Sequence, residues 1–142
     1  MIQPILKDKC VRCHNASKIK GELLLSTIEG MQKGGESGLL LIAGDTVNSL
    51  FLQRIHLPLS EEKHMPPEGK KQLTTDEIVL LNWWIKEGAS YEKQVNAFKA
   101  PSYIQPILTK FLPAKDDLQT KDVKRVDDQQ IAILRKKGVS IY

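Results

Sequence analysis

The chain has 142 residues, of which 41% are hydrophobic and 27% charged, a composition typical of a globular protein with room for one domain and an appendage. It has no run of 18 apolar residues that would cross a membrane, and its first residues do not form a signal peptide. Residues 1–92 carry 11 basic and 12 acidic side chains, whereas residues 93–142 carry 10 and 5. Because the excess lysines are interleaved with aspartates, we do not expect nucleic-acid binding.

The first two predicted helices lie on either side of a glycine-rich segment. The first covers about residues 2–11, with Pro4 in its first turn, where proline is tolerated. Residues 12–45 contain six glycines and are predicted to be mostly loop. Asp45 or Thr46 is expected to cap the second helix, which ends near residue 55.

The third predicted helix has the clearest boundaries. Residues 57–73 are predicted to form a loop stiffened by three prolines. The sequence Thr74-Thr75-Asp76-Glu77 is a capping box, in which Thr74 accepts from the Glu77 amide and Glu77 reaches back. The helix should continue to about Glu87, with Gly88 as its stop.

The sequence pattern changes after residue 91. We interpret residues 1–92 as one domain and residues 93–142 as a linker or extension with a helix at about 127–137. A short alternating stretch at 139–141 favours the start of a strand. The pentapeptide Ile-Gln-Pro-Ile-Leu occurs at 2–6 and again at 104–108. Since no cysteine or histidine follows the second copy, we treat the repetition as coincidence.

A cysteine motif carries the strongest chemical signal. Cys10-Val11-Arg12-Cys13-His14 has the C-x-x-C-H spacing of covalent haem attachment. The two thiols can form thioethers with the vinyl groups of a porphyrin, and His14 then becomes the proximal iron ligand. A zinc site, a thioredoxin-like redox pair and a structural disulfide are competing interpretations. Haem explains His14 as well as both cysteines, so we expect one covalently bound haem c.

A low-spin electron carrier needs a second axial ligand, and Met65 is the favoured candidate. Pro66-Pro67 follows it and restricts the backbone, which suits a thioether held at a fixed distance from iron. Methionine ligation also raises the reduction potential. His64, His56 and Met31 are the other candidates, and a flexible core methionine is the competing interpretation of Met65.

Two further residues are candidate haem contacts. Arg54 can pair with a haem propionate through its guanidinium, or it can be a solvated cation at a helix end. Trp84 can pack against the haem edge or against the first helix, with its indole N–H bonded at the rim.

Four stretches of the chain occur in a familiar order. They are Cys10-Val11-Arg12-Cys13-His14-Asn15, Lys33-Gly34-Gly35-Glu36-Ser37-Gly38, Met65-Pro66-Pro67 and Trp84-Ile85-Lys86-Glu87-Gly88-Ala89. Together they resemble the planctomycete-type cytochrome c domain over about residues 2–91. The resemblance implies an all-α, class I-like helical domain around one haem, with Cys10, Cys13 and His14 as the attachment residues and Met65 as the distal ligand.

The resemblance also implies a setting and a function. Such domains usually occur inside larger exported bacterial proteins, beside membrane segments or leucine-rich repeats, so we expect a periplasmic location and a parent protein that can be membrane-anchored. The helix at 127–137 would then begin a repeat array. We expect one-electron transfer to redox partner proteins and no enzymatic activity of the domain itself; a haem-based gas sensor in which Met65 is displaced is the alternative.

Overall fold

The computed structural model of the protein describes residues 2–93 and 99–111. This part of the chain is mostly helical, with five α-helices and one small two-stranded sheet. The helices are α1 (Ile2–Lys9), α2 (Ile28–Lys33), α3 (Leu50–His56), α4 (Thr75–Lys86) and α5 (Gln105–Phe111). The strands are β1 (His14–Asn15) and β2 (Lys18–Ile19), which pair antiparallel.

Helix α4 forms the centre of the hydrophobic core. It begins with the predicted capping box, in which Thr74 Oγ1 accepts from the Glu77 amide at 3.2 Å and the Glu77 carboxylate accepts from the Thr74 amide at 2.7 Å. Three of its side chains, Leu80, Leu81 and Ile85, are completely buried. Helices α1 and α5 both pack against it, so α4 joins the two ends of the described chain.

The predicted start of the second helix differs from the structure. Helix α3 begins at Leu50, with Ser49 as its N-cap, rather than after Asp45. The Asp45 carboxylate accepts instead from the amides of Val47 and Asn48 and closes a tight turn. An aspartate can cap a turn as readily as a helix, and the sequence does not distinguish the two uses.

Helix α2 and the small sheet lie in the segment predicted to be mostly loop. Helix α2 has a regular N-cap, since Thr27 Oγ1 accepts from the Gly30 amide at 3.0 Å, and Met31 is buried in the core. The helix is only six residues long, and a glycine within it hid its pattern. The sheet is a tight hairpin of two-residue strands, too short for an alternating pattern to show.

The compact unit continues past the predicted domain boundary at residue 92. The described residues on both sides of the gap, 2–93 and 99–111, belong to one unit. Ile104 is completely buried, and Ile107 and Leu108 of α5 are also buried. The part of the extension that is described therefore belongs to the core. The predicted helix at about 127–137 and the strand start after it lie outside the described residues.

The repeated pentapeptide has the same burial in both places. Ile2, Ile5 and Leu6 of the first copy are buried, as are Ile104, Ile107 and Leu108 of the second. These positions fall on one face of a helix, and both copies pack against α4. Both copies of the pentapeptide thus bury their apolar residues next to α4, which the sequence alone did not suggest.

Candidate functional site

A large cavity lies among the first helix, the hairpin, α3 and the proline-containing loop. Its volume is about 820 Å³, within the range of ligand pockets in proteins. Five of the six predicted site residues line it: Cys10, Cys13, His14, Arg54 and Met65. The rest of the wall is mixed: one part is apolar, with Leu23, Leu25, Leu40, Phe51 and Ile55, and much of the remainder is charged, mostly with lysines. Sulfur and imidazole groups beside an apolar surface suit a flat, hydrophobic metal complex.

The attachment segment, residues 10–14, continues the chain directly from α1. The amides of Cys10 and Val11 both donate to the Leu6 carbonyl at 2.9 Å, and those of Cys13 and His14 donate to the Cys10 carbonyl. The segment is thus a compact turn at the helix end. Both cysteines are free thiols in the structure and half-buried at the cavity wall. The two cysteines therefore do not form a structural disulfide.

His14 is oriented by a backbone carbonyl. Its Nδ1 lies 2.9 Å from the Lys20 carbonyl, which can only accept, so Nδ1 is the protonated nitrogen. Nε2 then carries the lone pair, which is the arrangement of a metal-binding imidazole. Burial lowers the pKa of His14, and the hydrogen bond to Lys20 opposes this effect. The neutral, ligand-competent form is therefore favoured.

The hairpin that supplies this carbonyl depends on Asn15. Its side-chain amide donates to the Val11 carbonyl at 2.6 Å, and its Oδ1 accepts from the amides of Ser17 and Lys18. Asn15 therefore returns the chain so that Lys20 lies beside His14. Asn15 was not among the predicted site residues, although an asparagine followed by small and polar residues is typical of such a turn.

The surroundings of Cys10 weigh against both a thiol redox pair and a zinc site. Burial raises the pKa of the Cys10 thiol to about 12, and the nearby Glu77 carboxylate adds to the effect. A thiol that stays protonated at neutral pH is not the reactive thiolate of a redox pair. Within residues 2–93 and 99–111, no cluster of three or more His, Cys, Asp or Glu side chains could hold a metal ion, so zinc has no ligand set there.

Met65 lies in the methionine loop, which we define as residues 64–72. Its amide donates to the Arg54 carbonyl at the end of α3, at 3.2 Å, and its side chain is half-buried at the cavity wall. The loop has little regular structure. It is fixed mainly by contacts of the Gln72 side chain, which donates to the carbonyls of Pro66 and Pro67 at 3.0 Å each.

The other candidate ligands do not line the cavity. His64 is 8% exposed, and its ring nitrogens lie 2.7 Å from the Leu57 carbonyl and 3.0 Å from Gln72 Oε1. His56 is exposed and its Nε2 is 3.3 Å from Asn82, while Met31 is buried in the core. Among the described residues, Met65 is the one of these candidates that reaches the cavity wall.

Arg54 lies where residues 33–38, which we call the glycine loop, border the cavity. Its guanidinium donates to Ser37 Oγ at 2.9 Å, and both residues line the cavity. The loop approaches the hairpin closely, since a Cβ on Gly35 would lie 2.5 Å from the Gly21 carbonyl oxygen. Only glycine fits there. The close approach accounts for the Lys-Gly-Gly-Glu-Ser-Gly stretch and places Ser37 within reach of Arg54.

Trp84 lies away from the cavity. Its indole N–H donates to the Ser90 carbonyl at 2.9 Å, and its ring meets Tyr91 edge-on with centroids 5.6 Å apart. The side chain is buried in the core, and Trp84 is not among the cavity residues. The predicted partner for the N–H exists, but the haem contact suggested for Trp84 has no counterpart in the cavity wall. The apolar pattern of α4 could not show that none of its residues would line the cavity.

The site and fold define a class of protein: a small, mostly helical domain with a C-x-x-C-H segment at the wall of a large, partly apolar cavity, the arrangement of a c-type cytochrome. Residues 10–69 match the family described as planctomycete cytochrome C, which confirms the predicted resemblance over this part of the chain. The match starts at Cys10 and includes the hairpin, the glycine loop, α3 and Met65, but not α4 or α5. No curated protein and no solved structure matched the chain.

The match to this family supports several general properties. Cytochrome c domains bind haem c covalently, so haem c is the cofactor of this domain, and they serve haem-based electron transfer in general. They generally pass electrons to redox partner proteins, and they are typically exported. No helix in the described part of the chain is long and apolar enough to span a membrane.

Proposed function

We propose that the domain is a one-haem electron carrier with histidine and methionine as axial ligands. In this assignment Cys10 and Cys13 form the thioethers, His14 is the proximal ligand and Met65 the distal ligand. The observation that carries the proposal is that all four side chains line one cavity, although Met65 is more than fifty residues away in the sequence. The single-haem stoichiometry rests on the one C-x-x-C-H motif of the chain.

The residues around the cavity suit this role. The hydrogen bond from His14 Nδ1 to the Lys20 carbonyl orients the ring and increases its basicity as a ligand. The apolar part of the wall would exclude water from one part of the bound group, and Arg54 supplies a positive charge for a propionate. When bound, the haem supplies an iron that changes between its ferrous and ferric states, with a potential set by axial ligands and burial.

The proposal includes the wider setting of the domain. We infer an all-α, class I-like cytochrome whose described extension packs on the haem domain rather than apart from it. The domain itself makes no bond to a substrate and is a carrier, not an enzyme. A periplasmic or otherwise extracytoplasmic location follows from the usual chemistry of haem attachment, and membrane anchoring of the parent protein is part of the same proposal.

Two measurements on the holoprotein test the proposal. The mass of the denatured protein should exceed that of the chain by one haem. The ferric protein should show the far-red charge-transfer band of sulfur bound to iron, and the ferrous protein should bind CO slowly. Absence of this band together with ready CO binding would instead favour the gas sensor. A protein that carries no covalent haem would contradict the family-based assignment of Cys10 and Cys13.

A further inference from the structure

The methionine loop cannot be fixed by its own backbone. Pro66 and Pro67 have no N–H, so two consecutive residues after Met65 offer carbonyl acceptors but no donors. Within the loop, the Lys70 amide donates to the Pro67 carbonyl at 3.1 Å. The Met65 amide is held by the Arg54 carbonyl. The remaining carbonyls need donors from elsewhere, because unpaired carbonyls would leave the loop free to move.

Gln72 supplies these donors. Its Nε2 lies 3.0 Å from the carbonyls of Pro66 and Pro67 and 3.1 Å from that of Lys70. Its Oε1 lies 3.0 Å from Nε2 of His64, the residue directly before Met65. A single carboxamide thus contacts the loop on both sides of the methionine. The opposite orientation of the amide would place its oxygen against three carbonyl oxygens, which cannot donate. Nε2 must therefore face the carbonyls, and Oε1 must face His64.

Gln72 is itself held by the chain next to the attachment segment. The Lys9 ammonium donates to the Gln72 backbone carbonyl at 2.9 Å. The Lys9 side chain is only 3% exposed and lies 3.5 Å from the Glu77 carboxylate at the start of α4. Because Lys9 directly precedes Cys10, this contact ties the position of Gln72 to the wall that carries the two cysteines.

We propose that Gln72 is a positioning residue that holds the Met65 sulfur at the distal side of the haem iron. The inference rests on the proposed function, in which Met65 is the distal ligand. Gln72 does not line the cavity, so it acts through the loop and not by contact with the haem. Without its donors, the Pro66 carbonyl loses the Gln72 contact and the Pro67 carbonyl keeps the Lys70 amide, so the loop is held less firmly and can carry the sulfur away from the iron more often.

The test compares Gln72→Leu with Gln53→Leu in the holoprotein. Gln53 is a matched control, because its Nε2 also donates to one backbone carbonyl, that of Val47 at 2.9 Å, and it does not line the cavity. Neither substitution changes the charge. We expect ferrous Gln72→Leu to bind CO about tenfold faster or more, since a half-buried hydrogen-bond network is lost. The far-red band should weaken and the reduction potential should fall, whereas Gln53→Leu should match wild type in all three.

A second variant separates hydrogen bonding from the volume of the side chain. Gln72→Glu keeps the shape of the side chain but has no N–H donors, so it should behave like Gln72→Leu in the CO and spectral measurements. It also serves if the leucine variant does not fold. The inference is overturned if Gln72→Glu matches wild type in the CO and spectral measurements. It is also overturned if Gln72→Leu and Gln53→Leu bind CO at equal rates. A wild-type protein that lacks the far-red band gives a different result, in which Met65 is not the ligand and the proposed function falls together with the role of Gln72.

Discussion

The attachment segment and the methionine loop line the same cavity but are held in different ways. The contacts of the attachment segment are local: the segment hydrogen-bonds to residues between Leu6 and Leu25. The methionine loop also has nearby partners, Arg54 and Leu57, but in addition its Gln72 carbonyl accepts from Lys9, which lies 63 residues away in the sequence. One side of the site is thus held by local hydrogen bonds, and the other by local hydrogen bonds together with a long-range contact to α1.

This difference indicates how each side can fail. A local turn re-forms whenever its own residues are intact, and covalent thioethers secure it further. A loop held by long-range contacts is sensitive to changes at residues that never touch the cofactor. We therefore expect substitutions in the attachment segment to affect haem retention, and substitutions around the methionine loop to affect ligation and potential.

The largest effect should come from removing both thiols. In Cys10→Ala/Cys13→Ala no thioether can form, so the denatured protein should have the mass of the chain alone. Each single variant retains one thiol and should still carry haem after denaturation. Mass spectrometry of the denatured proteins distinguishes these cases. Haem mass retained by the double variant would show that attachment does not depend on this segment.

The next largest effect should come from the methionine itself. Met65→Leu should abolish the far-red band and lower the reduction potential by on the order of 0.1 V, a modest part of the range that axial ligands cover. Met31→Leu is the matched control, because Met31 is buried in the core away from the cavity. Optical titration gives both quantities. Equal spectra of the two variants would exclude Met65 as the ligand.

A third prediction concerns the contact that joins the two sides. Lys9→Ala removes the donor to the Gln72 carbonyl and leaves the largely buried Glu77 carboxylate without its cation. The free energy of unfolding should fall by about 1–3 kcal/mol, as expected for losing a buried charged hydrogen bond. Lys7→Ala, at an exposed position of the same helix, should change it by less than about 0.5 kcal/mol. Denaturant unfolding measures both, and similar values would mean that the contact contributes nothing.

The smallest predicted effect concerns Arg54. Replacing it with glutamine removes a positive charge at the cavity wall, which should favour the ferric state and lower the potential by about 40 mV, or about 1 kcal/mol for one electron. Lys86→Gln, an exposed position on α4 outside the cavity wall, controls for the loss of a charge. Potentiometry compares the two. If the reduction potential of Arg54→Gln shifts no more than that of Lys86→Gln, Arg54 does not contact a propionate.

Much of the architecture around α4 could be predicted. The capping box at Thr74 and Glu77 forms as expected, because both hydrogen bonds join residues three apart. The existence of α1 and α3 followed from the same kind of short-range signal. The start of α3 at Leu50 could not be predicted in the same way, because Asp45 could either cap a helix or close a turn.

Other features depend on surfaces that meet only in the folded chain. The burial of Ile104 against the core could not be anticipated, because the segment around it has weak periodicity of its own. The separation of Trp84 from the cavity could not be anticipated either, because both faces of α4 are apolar enough to be buried. The contacts of Gln72 with Pro66 and Lys9 had no sequence signal at all.

The sequence by itself determined the cofactor chemistry of this protein. The spacing of Cys10, Cys13 and His14 is a local requirement of haem attachment, and a five-residue motif contains all of it. Tertiary structure decided which other residues share the cavity with them and what holds those residues there. Contacts such as Lys9 to Gln72, 63 residues apart, depend on how α1, α4 and the methionine loop pack together, and no local pattern encodes that packing.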